Sequence, residues 1–83
     1  MTDDVKTKHN HYYKYVGNLD YIDVYRVLHL FGVTDPCIQH AAKKLLVTGN
    51  RGHKDKARDI QDAIDTLVRY QEMQRENDVA NRL

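Results

Sequence analysis

Cations are concentrated in one segment of this sequence. Residues 43–58 contain six lysines and arginines against one acidic residue, a net charge of +5, whereas the whole chain of 83 residues carries +1. Gly49 and Gly52 lie within this basic segment and would let backbone approach a ligand closely. Phosphate and carboxylate are the groups that such a segment can hold, because cations and the open amides of a helix start both favour an anion. The predicted anion- or partner-binding residues are Lys43, Lys44, Arg51, His53, Lys54 and Arg58.

A purely structural interpretation of the basic segment stays open beside this one. Gly49 can end one helix and Gly52 can make a turn, while Asp55 serves the open amides of the next helix and the lysines are solvated. In favour of anion binding, His53 stands at the expected N-cap of that next helix and is not one of the residue types that usually cap a helix, so a bound anion could replace the cap. The motif G-x-x-x-x-G-K-[ST] is absent from the sequence, so the segment is not a P-loop.

Catalytic chemistry has weaker candidates. Cys37 is expected in the first turn of a helix with His40 one turn further on, but a nucleophilic pair needs a third, orienting group, and the sequence offers none. We therefore expect Cys37 to be a half-buried structural thiol and the face of His40, Lys43 and Lys44 to be solvated. No catalytic residue is predicted, and the protein is expected not to be an enzyme.

Metal binding is also disfavoured. Asp59, Asp62 and Asp65 are expected largely on the solvent face of a helix, with no acidic partner on the preceding helix, so metal-dependent nucleotide hydrolysis is not expected. The pair His9-x-His11 is a weak metal signal in a polar segment. No metal and no cofactor are predicted.

Three tyrosines near the start of the chain allow two roles. Tyr12, Tyr13 and Tyr15 alternate with Lys8 and Lys14, a pattern that can stack bases and contact phosphates. Alternatively, the rings cover the open edge of a small helical core, which is the role that we favour.

Hydrophobic spacing of 3 and 4 residues predicts an all-α fold. We expect a polar N-terminal arm over 1–19, a three-helix domain over 20–77 and a frayed tail over 78–83. Asp20 is expected to cap the first helix, and Thr34 or Asp35 the second, which Pro36 then opens. The helices are predicted at about 20–31, 36–48 and 54–77, the last being nearly twice as long as the others.

The predicted helices leave apolar side chains that one short chain cannot bury. The second and third helices carry buried stripes in this prediction, at Ile38, Ala41, Ala42, Leu45 and Leu46 and at Ala57, Ile60, Ile64, Leu67 and Val68. Ile22, Leu30 and Val47 lie off the stripes, and the distal part of the third helix has no helix long enough to cover it. A homo-oligomer or a protein partner is therefore expected.

Composition excludes several classes of protein. Hydrophobic residues make up 41% of the chain and charged residues 30%, with the two signs nearly balanced, unlike an acidic tail, a polycation or a disordered protein. The longest apolar run, residues 45–47, is far below the roughly 20 residues of a membrane span. No signal peptide is evident, and the single cysteine cannot form an internal disulfide. We expect a cytoplasmic protein that does not contact a membrane.

Short motifs in a fixed order resemble a known family. The chain is similar to short phage and prophage proteins sometimes labelled phage nucleotide kinases, whose pattern includes an early His-Tyr, an acidic–hydrophobic helix start, an Asn-Ala-x-Lys-Tyr core, a Gly-Arg-Lys loop and an Asp-Leu-x-x-Ala helix. The matching residues, spread over about residues 11–70, are His11-Tyr12, Asp20-Tyr21-Ile22-Asp23-Val24, His40-Ala41-Ala42-Lys43-Lys44-Leu45, Gly49, Asp59-Ile60, Ala63 and Leu67.

This resemblance implies a phage accessory protein that acts in the host cytoplasm, and a role in countering host defence is an expectation from the resemblance alone. His40, Lys44 and Val47 depart from the family's Asn, Tyr and Arg, and no loop suited to a kinase is present. We therefore expect a non-enzymatic protein that binds a nucleotide or an acidic face of a host protein. A small helical regulator that binds DNA or RNA is the alternative, although Asp55, Asp59 and Asp62 would repel phosphate.

Overall fold

The computed structural model describes residues 10–49 and 53–81, with residues 53 and 54 described by their backbone alone. Predictions that concern residues 1–9, 50–52 and 82–83, including those for His9 and Arg51, lie outside the described residues. Within them the chain is helical and has no strand, which confirms the all-α class and the long C-terminal helix. The elements are a 3₁₀ turn at Asn10–Tyr12 and the helices α1 (Val24–Leu30), α2 (Pro36–Leu46) and α3 (His53–Ala80).

The chain forms two compact units, Met1–Val33 and Thr34–Leu83. The first contains the N-terminal arm and α1, and the second contains α2 and α3. The single three-helix domain over 20–77 stays a prediction.

Helix α1 starts later than predicted because a different aspartate caps it. The carboxylate of Asp23 accepts a hydrogen bond from the Arg26 amide at 2.9 Å, so the expected capping role of Asp20 is wrong. Tyr21 consequently lies outside the helix and is almost fully exposed. The helix ends at Leu30, one residue before the predicted limit, and Gly32 follows it in the predicted left-handed conformation, with a φ of +67° that is readily accessible only to glycine.

Local capping signals determine where α2 starts. The side chain of Asp35 accepts hydrogen bonds from the amides of Cys37 at 2.8 Å and Ile38 at 3.1 Å, and Pro36 opens the helix. Of the two predicted caps, Thr34 and Asp35, the structure therefore uses Asp35. The helix ends at Leu46, two residues before the predicted limit.

Helix α3 extends well beyond its neighbour. Its 28 residues span about 42 Å, whereas the 11 residues of α2 span about 16 Å. The two helices pack against each other. The predicted frayed tail is partly wrong, since helical structure continues to Ala80. On the distal part, Arg69 donates to Glu76 at 2.9 Å.

Candidate functional site

Two alanines bring α2 and α3 into close contact. Ala41 and Ala63 are 3% and 2% exposed and are the most deeply buried apolar residues of this unit. Small side chains at a helix contact let the two backbones approach, as the sequence predicted for Ala41. Ala41 belongs to the predicted stripe of α2 and is buried, but the large apolar residues of both predicted stripes are 38–57% exposed, so the prediction that these stripes are buried is wrong for them.

A cluster of opposite charges adjoins the alanine contact. Lys44 Nζ of α2 lies 3.6 Å from Asp59 Oδ1 and 3.3 Å from Asp62 Oδ2 of α3. Asp59 is only 3% exposed, whereas Asp62 is partly exposed. A carboxylate in such a position needs compensating charge, because burial of an isolated ion is costly. Lys44 provides part of this compensation.

The Lys44 cluster corrects two expectations. Asp59 does not lie on the solvent face of α3, and Lys44 does not lie on a fully solvated face of α2, since 28% of its side chain is exposed. The reason is the register of the two helices. Asp59, Ala63 and Thr66 follow one another at spacings of 4 and 3 residues and therefore share the face that meets α2. This spacing was visible in the sequence, but the apolar stripe beside it was the stronger signal.

The connection after α2 folds back onto the start of α3. The Thr48 hydroxyl donates to the Lys44 and Leu45 carbonyls and so serves the open end of α2. Gly49 has a φ of +77°, and a Cβ placed on it would lie 3.2 Å from the Cβ of Lys56. The end of α2 therefore approaches the first turns of α3.

The predicted binding residues divide into three groups. Lys43 and Lys44 line a shallow groove on α2 together with His40 and Val47. Arg58 is exposed on α3 and directly precedes Asp59, a member of the Lys44 cluster, in the sequence. His53 and Lys54 form the start of α3, described by backbone alone, and Arg51 lies outside the described residues.

The candidate tyrosines are exposed. Tyr15 is 90% exposed and Tyr12 67%, and Tyr13 is also exposed, contrary to the expectation that these rings cover apolar core. Tyr12 packs against His11, with ring centroids 4.0 Å apart and planes inclined at 48°. Lys14 Nζ lies 5.4 Å from the ring centroid of Phe31, within reach of a cation–π interaction. Stacking on a base stays a prediction for these side chains.

The reactive candidates on α2 have ordinary surroundings. Cys37 is half-buried, as predicted, and its backbone amide donates to Asp35. His40 is exposed.

On α3, Asp65 accepts a hydrogen bond from Gln61 Nε2 at 2.8 Å, while Asp59 and Asp62 face Lys44. Over residues 10–49 and 53–81, no three His, Cys, Asp or Glu side chains are grouped as a metal site requires.

Comparisons with known proteins found no relative. No family model matches the chain, and neither the curated proteins nor the solved structures contain a match. The resemblance to the phage proteins therefore stays a prediction. In the part of the chain that the structure describes, no helix has the length and apolar character needed to cross a bilayer.

Proposed function

We propose that this protein is a non-enzymatic phage accessory protein that binds an anionic ligand at the basic end of the α2–α3 hairpin. A nucleotide is the first candidate for the ligand, and an acidic face of a host protein is the other. The observation that carries the proposal is the segregation of charge along the hairpin. Residues 43–58, which run from the last turn of α2 to the first turns of α3, carry a net charge of +5, whereas residues 59–83 carry six acids against three arginines, a net charge of −3.

Neutralisation within the hairpin does not remove this asymmetry. Lys44 faces Asp59 and Asp62, so its charge is largely compensated. Lys56 and Arg58, three and five residues after the first residue of α3, add exposed cations to the same end. At the opposite end of α3, Arg69 is engaged by Glu72 and Glu76, at 3.4 and 2.9 Å. An approaching anion is therefore attracted to the turn and repelled from the distal half.

Binding of a nucleotide is tested by thermal unfolding in the presence of individual nucleotides. A ligand at 100 times its Kd stabilises the folded state by about 2.7 kcal/mol, which shifts the melting temperature measurably. The double variant Arg51→Ala, Lys54→Ala should lose this shift. The matched control, Arg69→Ala with Arg75→Ala, removes two cations from the distal half of α3 and should retain it.

Three outcomes separate the candidate ligands. A nucleotide-specific shift that disappears only in the Arg51, Lys54 variant supports nucleotide binding. If the wild-type chain captures one host protein from lysate after nuclease treatment, and the Arg51, Lys54 variant does not, the result supports binding to an acidic protein surface. Equal binding by both double variants would contradict the proposed location of the site.

Nucleic-acid binding is the second candidate function, and the exposed Tyr12 and Tyr15 favour it, because exposed rings are available for stacking. Binding to DNA or RNA should weaken steeply as salt is raised, since counterions are released. Affinity that does not change between low and moderate salt would exclude this function.

A further inference from the structure

Aromatic side chains are concentrated in the first compact unit and are exposed there. The chain has six tyrosines and one phenylalanine, and all of them except Tyr70 lie between residues 12 and 31. Each of these rings is at least 42% exposed, and Tyr21, at 91%, and Tyr25, at 64%, are among the most exposed. A small unit that leaves so many rings in water offers a surface for a ligand, because rings supply much of the energy of a core or an interface.

Two adjoining grooves on α1 contain Tyr21 and Tyr25. The first groove, of about 280 Å³, is lined in part by Tyr21 and Ile22, and the second, of about 390 Å³, by Tyr25 and His29. Asp23 and Arg26 line both grooves, which therefore form one continuous surface, called the α1 groove below. Arg26 consequently has one exposed tyrosine beside it in each groove.

The cation of the α1 groove is available to a ligand. In the part of the chain that the structure describes, no hydrogen bond or ion pair engages the guanidinium of Arg26, which is exposed. A guanidinium presents a planar set of donors that matches a phosphate group. His29, three residues further along α1, adds a ring nitrogen that can donate.

The carboxylate of the α1 groove has a structural role. Asp23 accepts a hydrogen bond from the Arg26 amide at 2.9 Å and so caps α1. The start of the helix is therefore not the anion-binding element here, and the guanidinium is. The charge of Asp23 still opposes a phosphate, so stacking on the rings must supply more of the affinity than charge does.

We infer that the α1 groove binds single-stranded nucleic acid, with bases stacked on Tyr21 and Tyr25 and a phosphate bound by Arg26. Every nucleotide of a single strand supplies both a π-face and an anion, which are the two groups that this groove can bind. A duplex keeps its bases paired and stacked on one another, so the rings cannot reach them. The inference rests on nucleic-acid binding, the second candidate function, and is independent of the proposed anion site of the hairpin.

Replacement of the rings tests stacking on the full chain, with the anisotropy of a labelled oligothymidylate as the measurement. Tyr21→Leu and Tyr25→Leu keep an apolar side chain but remove the ring, and each should raise the Kd about tenfold. Tyr21→Phe and Tyr25→Phe are the matched controls and should retain the affinity, because stacking needs the ring and not the hydroxyl. Tyr21 lies outside the helices, and circular dichroism should show unchanged helix content in Tyr21→Leu.

The salt dependence tests the role of Arg26. Each phosphate contact to a single strand contributes about −0.7 to the slope of log K against log salt concentration. Arg26→Gln should make this slope shallower by about that amount, whereas Arg75→Gln, on the distal part of α3, should not change it.

Four results would overturn the inference. If the wild-type chain binds no single strand, nucleic-acid binding fails as a function together with the α1 groove. If it binds but the leucine variants bind equally well, the α1 groove is wrong and the function survives at another site. Loss of binding in the Arg51, Lys54 variant with full binding in the leucine variants would assign that site to the basic segment. Equal affinity for a duplex of the same length would exclude stacking on the tyrosines.

Discussion

Removal of the charge on Lys44 should destabilise the hairpin far more than removal of an exposed cation. Lys44→Met keeps the apolar stem but leaves Asp59, which is 3% exposed, without the cation 3.6 Å away. Breaking a fully buried ion pair costs about 3–5 kcal/mol. Lys44 is 28% exposed and its second partner, Asp62, is 40% exposed, so water retains access to the cluster and we expect a smaller cost. The predicted loss is about 2 kcal/mol, out of roughly 4–12 kcal/mol for a chain of this size.

Urea unfolding followed by circular dichroism, at one fixed protein concentration, measures this loss. Arg75→Met is the control, because it removes an exposed cation from the distal part of α3 and should cost less than about 0.5 kcal/mol. Adding Asp59→Asn to Lys44→Met removes the buried charge and should recover much of the stability. Equal losses in Lys44→Met and Arg75→Met, or no recovery with Asp59→Asn, would refute the assignment of Lys44 as the compensating cation.

Three further predictions concern the ends and the surface of the helices. Gly49→Ala should cost about 2 kcal/mol in the same unfolding assay, because φ is +77° and the new methyl would lie 3.2 Å from Lys56 Cβ. Asp35→Ala should cost about 1 kcal/mol through loss of the α2 cap and Asp35→Asn much less, so equal costs would contradict capping. The hydrogen bond from Arg69 lowers the pKa of Glu76 below its ordinary 4.5, so the stability that this pair contributes is present above that pH and is lost as the pH falls through the lowered pKa. An NMR titration should show the Glu76 midpoint rise in Arg69→Gln, and an unchanged midpoint would rule out the pair.

Local rules account for the parts of the fold that the sequence predicted well. Asp35 and Pro36 fix the start of α2 because a cap and a helix-opening proline act within a few residues. Gly32 ends α1 for the same reason, since only its own backbone angle is involved. The start of α1 was misplaced because Asp20 and Asp23 both have a capping side chain, and spacing alone does not decide which amide each one reaches.

The packing of α2 on α3 could not be predicted from periodicity. Ile60, Ile64 and Leu67 form the more hydrophobic stripe, yet Asp59 and Ala63 face α2. Hydrophobic periodicity identifies the apolar face of a helix, but it does not identify which neighbouring element packs against that face. The close approach through Ala41 and the neutralisation of Asp59 by Lys44 depend on two helices at once, so neither was evident from one helix.

The candidate anion site was predicted from the distribution of charge along the sequence, which does not depend on the face of the helix that each residue occupies. Lys44 is excluded from that site because the register of α2 on α3 turns its side chain toward two carboxylates. Lys43 remains on the outer edge of α2 and Arg58 is exposed on α3, whereas Lys44 faces Asp59 and Asp62. The proposed anion site therefore contains fewer available cations than the sequence indicated.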